Sequence, residues 1–292
     1  MEALARRHRA AKKVRVNRSI WGNILAFLAI FILGAFMAFP LVYAIGNAFK
    51  PLDELWLFPP PIFPRNPTLK NFQDLVVFLQ TSQIPMSRYV FNTVFVTVAG
   101  TGGHIILASM AAYPLAKYTF PGSRIIFSVI VTSLMFSTAV TAIPNYLTMV
   151  DLHWIDTYWA LIIPAFGTPM GMFLMKQFME QIPSSLLEAA KIDGAGELRI
   201  FWTIVMPNVK PAWLTLMVFS VTTLWNTGAS NFIYDEYLKT LPYAVTQIVS
   251  AGLSRAGAGS AASVLMMSVP ILCFVITQNN IIETMASSGI KE

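Results

Sequence analysis

The chain has 292 residues, a mean hydropathy of +0.61, 55% hydrophobic residues and only 12% charged ones, against about a quarter charged in soluble domains. That balance excludes an ordinary soluble globular protein and indicates an all-α integral membrane protein. The net charge of +6 gathers outside the apolar runs, so it marks topology and the bilayer surface rather than nucleic-acid binding.

Arg6, Arg7, Arg9, Lys12, Lys13, Arg15 and Arg18 precede the first apolar run. Such a cluster holds an N-terminus in the cytoplasm and also suits anionic headgroups. Residues 1–20 therefore read as a basic cytoplasmic segment and 21–292 as a single six-span transmembrane domain. Ala44-Ile45-Gly46 loosely resembles a cleavage site. The run from Ile24 to Ile45, however, exceeds the roughly 7–15 apolar residues of a signal peptide, so it reads as a retained span.

Six segments reach the ~20 apolar residues a crossing needs: 21–45, 89–113, 125–149, 157–178, 211–230 and 261–281. Pro164, Pro169 and Gly228 interrupt the fourth and fifth, which spanning helices tolerate when neighbours satisfy the freed backbone. With both termini inside, the inner segments hold 14 Lys and Arg and the outer ones six, the expected bias. Between the first two spans, Trp56, Phe58, Pro59, Pro60, Pro61, Phe63 and Pro64 form an extended aromatic loop. It suits either an external protein partner or anchoring at the headgroups. No loop reaches the ~50 residues of a soluble domain. Cys273 is the only cysteine, so no intrachain disulfide or cysteine metal cluster is expected.

No Gly-x-x-x-x-Gly-Lys-Ser/Thr string is present to wrap phosphates, and His8, His104 and His153 are too scattered for a metal pair. No Gly-x-Ser-x-Gly elbow occurs either. The assigned spans contain no Asp or Glu to couple an ion gradient. The chain thus reads as a non-enzyme, and any ATP-driven work needs another chain.

Between the fourth and fifth spans lies a polar loop, 179–210, containing Glu188-Ala189-Ala190-Lys191-Ile192-Asp193-Gly194. Ser185 and Glu188 have capping-box spacing, and Gly194 falls where a left-handed residue would end the helix. A second helix is expected from Glu197 to Val205, stopped before Pro207. Ala189, Ala190, Ala195 and Gly196 would let a partner approach closely, although an amphipathic connector on the membrane surface has the same look.

With Ile204-Val205-Met206-Pro207 nine residues further on, this stretch resembles the EAA loop of ABC importer membrane subunits, Met206 standing where Leu is usual. Ala111 to Gly122, Asn92-Thr93, Ile143-Pro144-Asn145-Tyr146, Ala160 to Pro164 and Phe173 to Phe178 extend the resemblance to maltose-type sugar permeases over nearly the whole chain. One departure is Trp225-Asn226, followed here by Thr227 and Gly228 instead of an acid and an aromatic.

The resemblance implies an ABC importer type I permease fold with a cytoplasmic coupling helix. Glu188, Ala189, Ala190, Asp193, Gly194, Ala195 and Pro207 would then meet an ATPase. It implies a second permease chain, two ATPase subunits carrying ATP and Mg, an extracytoplasmic solute-binding protein and a sugar substrate. No cofactor or metal is expected in this chain. Peptides, amino acids or polyamines remain alternative cargoes, and a secondary transporter a more distant reading. Polar groups inside spans are costly unless they face a partner or water. Asn92, Asn145 and Asn226 are therefore expected along the substrate path, with His104, Asn231 and the hydroxyls of Thr132, Ser133, Ser137, Thr138 and Thr141 as further candidates, and Tyr146 and Trp225 join them as aromatic faces suited to sugar stacking. Interhelical packing is the competing role for each.

Overall fold

The computed structural model describes residues 20–80, 84–228, 232–250 and 252–288. The basic N-terminal cluster, Asn231 and Lys291 lie outside them. All regular structure among the described residues is helical.

Helix α1 (Ile20–Ala48) is followed by the short α2 (Leu52–Leu55) and by α3 (Lys70–Gln80). Then come α4 (Met86–Lys117), α5 (Ser123–Ser133), α6 (Thr138–Asp151), α7 (Trp159–Phe166) and α8 (Pro169–Glu180). The polar loop forms α9 (Ser184–Ile192) and α10 (Glu197–Ile200), which runs through a π-helical turn (Phe201–Val205) into α11 (Met206–Asn208). Helix α12 (Lys210–Trp225) leads to α13 (Leu241–Ser250) and the long α14 (Ala256–Ser288).

Four helical stretches among the described residues are long and apolar enough to cross a membrane: Trp21–Ala48, Met86–Lys117, Trp159–Glu180 and Leu253–Ile281. The expected third span, 125–149, is instead two helices with a turn between them. At about 1.5 Å per residue, neither the 11-residue α5 nor the 14-residue α6 crosses ~30 Å alone. Ser137 starts α6 afresh by accepting the Ala139 N–H at 3.3 Å, a local cap that competes with one continuous helix. The expected fifth span, 211–230, ends as a helix at Trp225, and the stretch Glu197–Asn208 precedes it across a 79° bend.

The predicted stop before Pro207 is also corrected. The chain widens over Phe201–Val205, where the Met206 N–H reaches back five residues to the Phe201 carbonyl. A π turn accommodates a following proline that has no N–H to give. The bend then falls at Val209.

Three clusters hold the bundle together. At the loop end, Met175 and Met179 of α8 and Ala212 and Leu216 of α12 pack on Ala108 and Ala112 of α4, with Ile200 and Val205 beneath. At the opposite end, Leu75 and Leu79 of α3 meet Ala258, Ala261 and Ala262 of α14. Between them, Val96, Leu161 and Leu224 join α4, α7 and α12. Small residues at such crossings let backbones approach, and close van der Waals packing is what binds helices in lipid.

The proline-rich loop is built on polar anchors. Buried Lys50 donates to Asn47 at 2.6 Å and to the Pro61 carbonyl. Glu54 accepts the Arg65 N–H at 2.8 Å, and Asn71 holds the Ala48 and Lys50 carbonyls at 2.9 and 2.6 Å. With those anchors inside, Trp56, Phe58 and Phe63 are left exposed.

Candidate functional site

Helix α9 starts at Ser184 with Pro183 as its N-cap and no side-chain cap bond. The capping box expected from Ser185 and Glu188 is therefore absent: Ser185 already lies inside the first turn, and the fixed φ of Pro183 sets the start instead. The other end matches expectation. Gly194 has φ +79°, its N–H bonds the Lys191 carbonyl at 3.0 Å, and the Ala195 N–H bonds the Ala190 carbonyl at 2.9 Å. That pair of bonds is a Schellman closure, which needs a left-handed residue at its centre.

The helix has two faces. Leu187 and Ala190 are buried against the bundle, and Ala195 packs beside them. Ala190 thus serves packing, whereas Glu188, Ala189, Asp193 and Gly194 are exposed. Beside them Ile192 is 87% exposed, and Leu186, Leu198 and Trp202 are exposed too. Pro207 is exposed on the following turn. An apolar patch rimmed by Glu188 and Asp193 is the pattern of a protein-docking surface.

The loop is pinned to the end of α4. The Lys191 ammonium pairs with Glu197 at 2.7 Å and donates to the Tyr118 hydroxyl at 3.0 Å, while the Tyr113 hydroxyl donates to Glu197 at 3.1 Å. Lys117 reaches the Glu180 and Ile182 carbonyls at the C-terminus of α8. The hydrogen bond from Lys191 holds the Glu197 carboxyl below its ordinary range, and the same bond raises Lys191, so both stay charged at neutral pH. The 111–122 and 188–207 motifs, far apart in sequence, are therefore one physical junction.

A second feature is a groove of about 820 Å³ between α4, α7, α8 and α12. Its wall includes His104, Pro164, Thr168, Phe219, Thr223 and Phe232. His104, only 4% exposed, bridges three helices, with Nδ1 at 2.6 Å from the Ser220 hydroxyl and Nε2 at 2.6 Å from the Thr168 hydroxyl.

None of the five expected path residues lines this groove. Asn92 is fully buried: it donates to the Tyr237 and Lys239 carbonyls at 2.8 Å each and accepts the Tyr158 hydroxyl at 2.7 Å. Trp225 is buried too and donates to the Met266 carbonyl at 2.9 Å, clamping α12 to α14. Asn145 is exposed on α6, and Asn226, also exposed, donates to the Thr222 carbonyl at 2.7 Å. Tyr146 stacks on Phe232 at 6.2 Å, at the rim. The hydroxyls that do line the groove include Ser220, Thr222, Thr223 and Thr227. Their signal was the density of hydroxyls from Ser220 to Thr227 in an otherwise apolar run.

The bundle has a counterpart among solved structures. A chain in the "Crystal structure of a bacterial ABC transporter involved in the import of the acidic polysaccharide alginate" matches at a TM-score of 0.74 and 22% identity, over 90% of this chain and 98% of that one. The fold is that of ABC importer permeases. Residues 104–286, more than half of the chain, match the family "Binding-protein-dependent transport system inner membrane component", and the chain belongs to that family. The "Polygalacturonan/rhamnogalacturonan transport system permease protein YtcP" of Bacillus subtilis (strain 168) is 30% identical over 87% of this chain and 90% of that protein. "Protein LplC" of the same organism is 35% identical over 69% of this chain and 66% of its own length.

Proposed function

We propose that the chain is one of two permease subunits of an ATP-driven ABC importer for oligosaccharides, working with two ATPase subunits and an extracytoplasmic binding protein. It would carry no catalysis itself; ATP and Mg would bind the ATPases. The observation that carries this reading is the two-faced α9. Its exposed face of Glu188, Ile192 and Asp193 is free for a partner, and its other side is pinned through Lys191 and Glu197 to the end of α4. Motion imposed on that face passes through the pinned junction into α4, whose His104 lines the groove. Sugar as cargo is supported by the relatives' names.

The test is co-purification of the tagged chain from its native membrane, followed by ATP hydrolysis in proteoliposomes with the binding protein and saccharides. A bound ATPase stimulated by an oligosaccharide is the expected result. A chain that transports alone, or whose ATPase answers only peptides, amino acids or polyamines, refutes it.

In this reading α5 and α6 together make the third of six crossings, with both termini and 179–210 cytoplasmic. In a Cys273→Ala background, Asn66→Cys and Leu253→Cys, both at exposed positions, should label from outside intact cells, and Glu197→Cys should not. Outside labelling of Glu197→Cys reverses the topology.

A further inference from the structure

At the end of the bundle opposite α9, the loop between α6 and α7 grips the segment that follows α12. Asp156 sits at φ +60°, a conformation costly for a residue with a Cβ. Its carboxylate accepts the backbone N–H groups of Tyr234 and Asp235, each at 2.7 Å. Its own N–H donates to the Phe232 carbonyl at 2.8 Å. Three bonds thus fix the backbone on both sides of Ile233, and with it the directions of Phe232 and Tyr234.

Those two side chains meet Tyr146 of α6. The Tyr146 and Phe232 rings lie 6.2 Å apart and within 19° of parallel, and the Tyr146 and Tyr234 hydroxyls approach to 3.3 Å. Tyr234 is exposed, and Phe232 is also part of the groove wall. The result is an aromatic ledge opening onto the groove, with two phenol hydroxyls at its edge. Hydrogen bonding to Tyr146 raises the Tyr234 phenol above its ordinary value, so that hydroxyl is uncharged at neutral pH.

Resting on the oligosaccharide reading above, we propose that Tyr146, Phe232 and Tyr234 form a subsite that stacks one neutral glycosyl ring on its way into the groove, with Asp156 as its positioning residue. A pyranose has an apolar C–H face and a rim of hydroxyls, the same division that the ledge presents. The proposed sugar is neutral, since among the described residues the groove wall carries no Lys or Arg to meet a carboxylate. The Asp156 carboxylate, bonded to the Tyr234 backbone at the ledge, would repel a uronate. Arg88, the cation on α4 nearby, is engaged with the Tyr237 carbonyl at 3.1 Å and the Tyr158 hydroxyl at 3.2 Å.

The experiment uses the full complex in proteoliposomes with binding protein, reading saccharide-stimulated ATP hydrolysis with maltotriose, raffinose, stachyose and trigalacturonate as probes. A neutral saccharide should stimulate the parent. Tyr234→Ala and Phe232→Ala should raise its half-saturating concentration about tenfold, a loss near 1.4 kcal/mol. Asp156→Ala should do the same at unchanged maximal rate, and Asp156→Asn, which keeps the acceptor oxygen and tolerates the left-handed region, should restore it. Trp21→Ala, an exposed aromatic at the start of α1, should change nothing. A parent stimulated only by trigalacturonate overturns the neutral class. Ledge variants that match a stimulated parent overturn the subsite alone, whereas a parent deaf to every saccharide overturns the oligosaccharide reading itself. An Asp156→Ala change that lowers only the maximal rate or the protein yield assigns that residue to folding and overturns its positioning role.

Discussion

Gly194→Val is expected to remove most coupled uptake while leaving the chain inserted in the membrane. Gly194 has φ +79° and no other group within 4 Å of where a Cβ would stand, so the new side chain meets no obstacle. The objection is the backbone alone: the left-handed conformation costs roughly 1–2 kcal/mol for a residue with a Cβ, and a β-branched one is the worst case. Relief comes from breaking the 3.0 and 2.9 Å bonds that close α9. A shift of that size changes a local equilibrium by a factor of about 5–30. The exposed face of Ile192 and Asp193 would then no longer be held in fixed relation to the Lys191–Glu197 pair. The measurement is substrate-stimulated ATP hydrolysis and uptake in the reconstituted complex. Gly194→Asn should retain much of both, because asparagine visits the left-handed region. A valine variant that couples like the parent, or an asparagine variant as damaged as valine, would show that backbone conformation here is irrelevant to coupling.

Gly194 was legible in the sequence because everything it needs is local: a helix of about two turns, a polar setting and a glycine at its end. The same holds for the runs that became α1 and α4, where about 30 residues of uniform hydropathy leave little else to form. The broken third segment was hidden for the same reason. A hydropathy reading averages over Leu134–Ser137, and the Ser137 cap is a single hydrogen bond that the average does not register. The site residues divide similarly. Asn92 and Trp225 are expected along the substrate path, but each donates to backbone carbonyls, at positions 237 and 239 for Asn92 and 266 for Trp225. Carbonyls are present at every residue, so nothing in the sequence says which are left unpaired and turned inward. The departure at Thr227 and Gly228 now has a place in the structure: Thr227 lines the groove, and the Thr240 hydroxyl donates to its carbonyl at 2.7 Å.

Gly171→Val should cost more stability than any other single change considered. A Cβ at Gly171 would lie 2.2 Å from the His104 Nε2 and 3.0 Å from Cε1. The ring has no easy retreat, being buried and bonded on both nitrogens at 2.6 Å, to Ser220 of α12 and to Thr168 just before α8. Overpacking a tight site costs about 1–3 kcal/mol, and each buried polar group left unpaired costs about 1–3 more. If the ring swings away, an imidazole and two hydroxyls lose their protein partners. The expected outcome is a loss of several kcal/mol, read as a lower melting temperature in detergent and less protein in the membrane. His104→Ala alone should be milder, removing the ring and leaving Thr168 and Ser220 without it. Combined with Gly171→Val, it should recover part of the stability, because the added methyls then occupy the space the ring has left. Such recovery is a direct coupling between neighbours. Should the double variant melt no higher than Gly171→Val, the two residues do not compete for one space, and the close approach of α4 and α8 at this point is not what requires glycine.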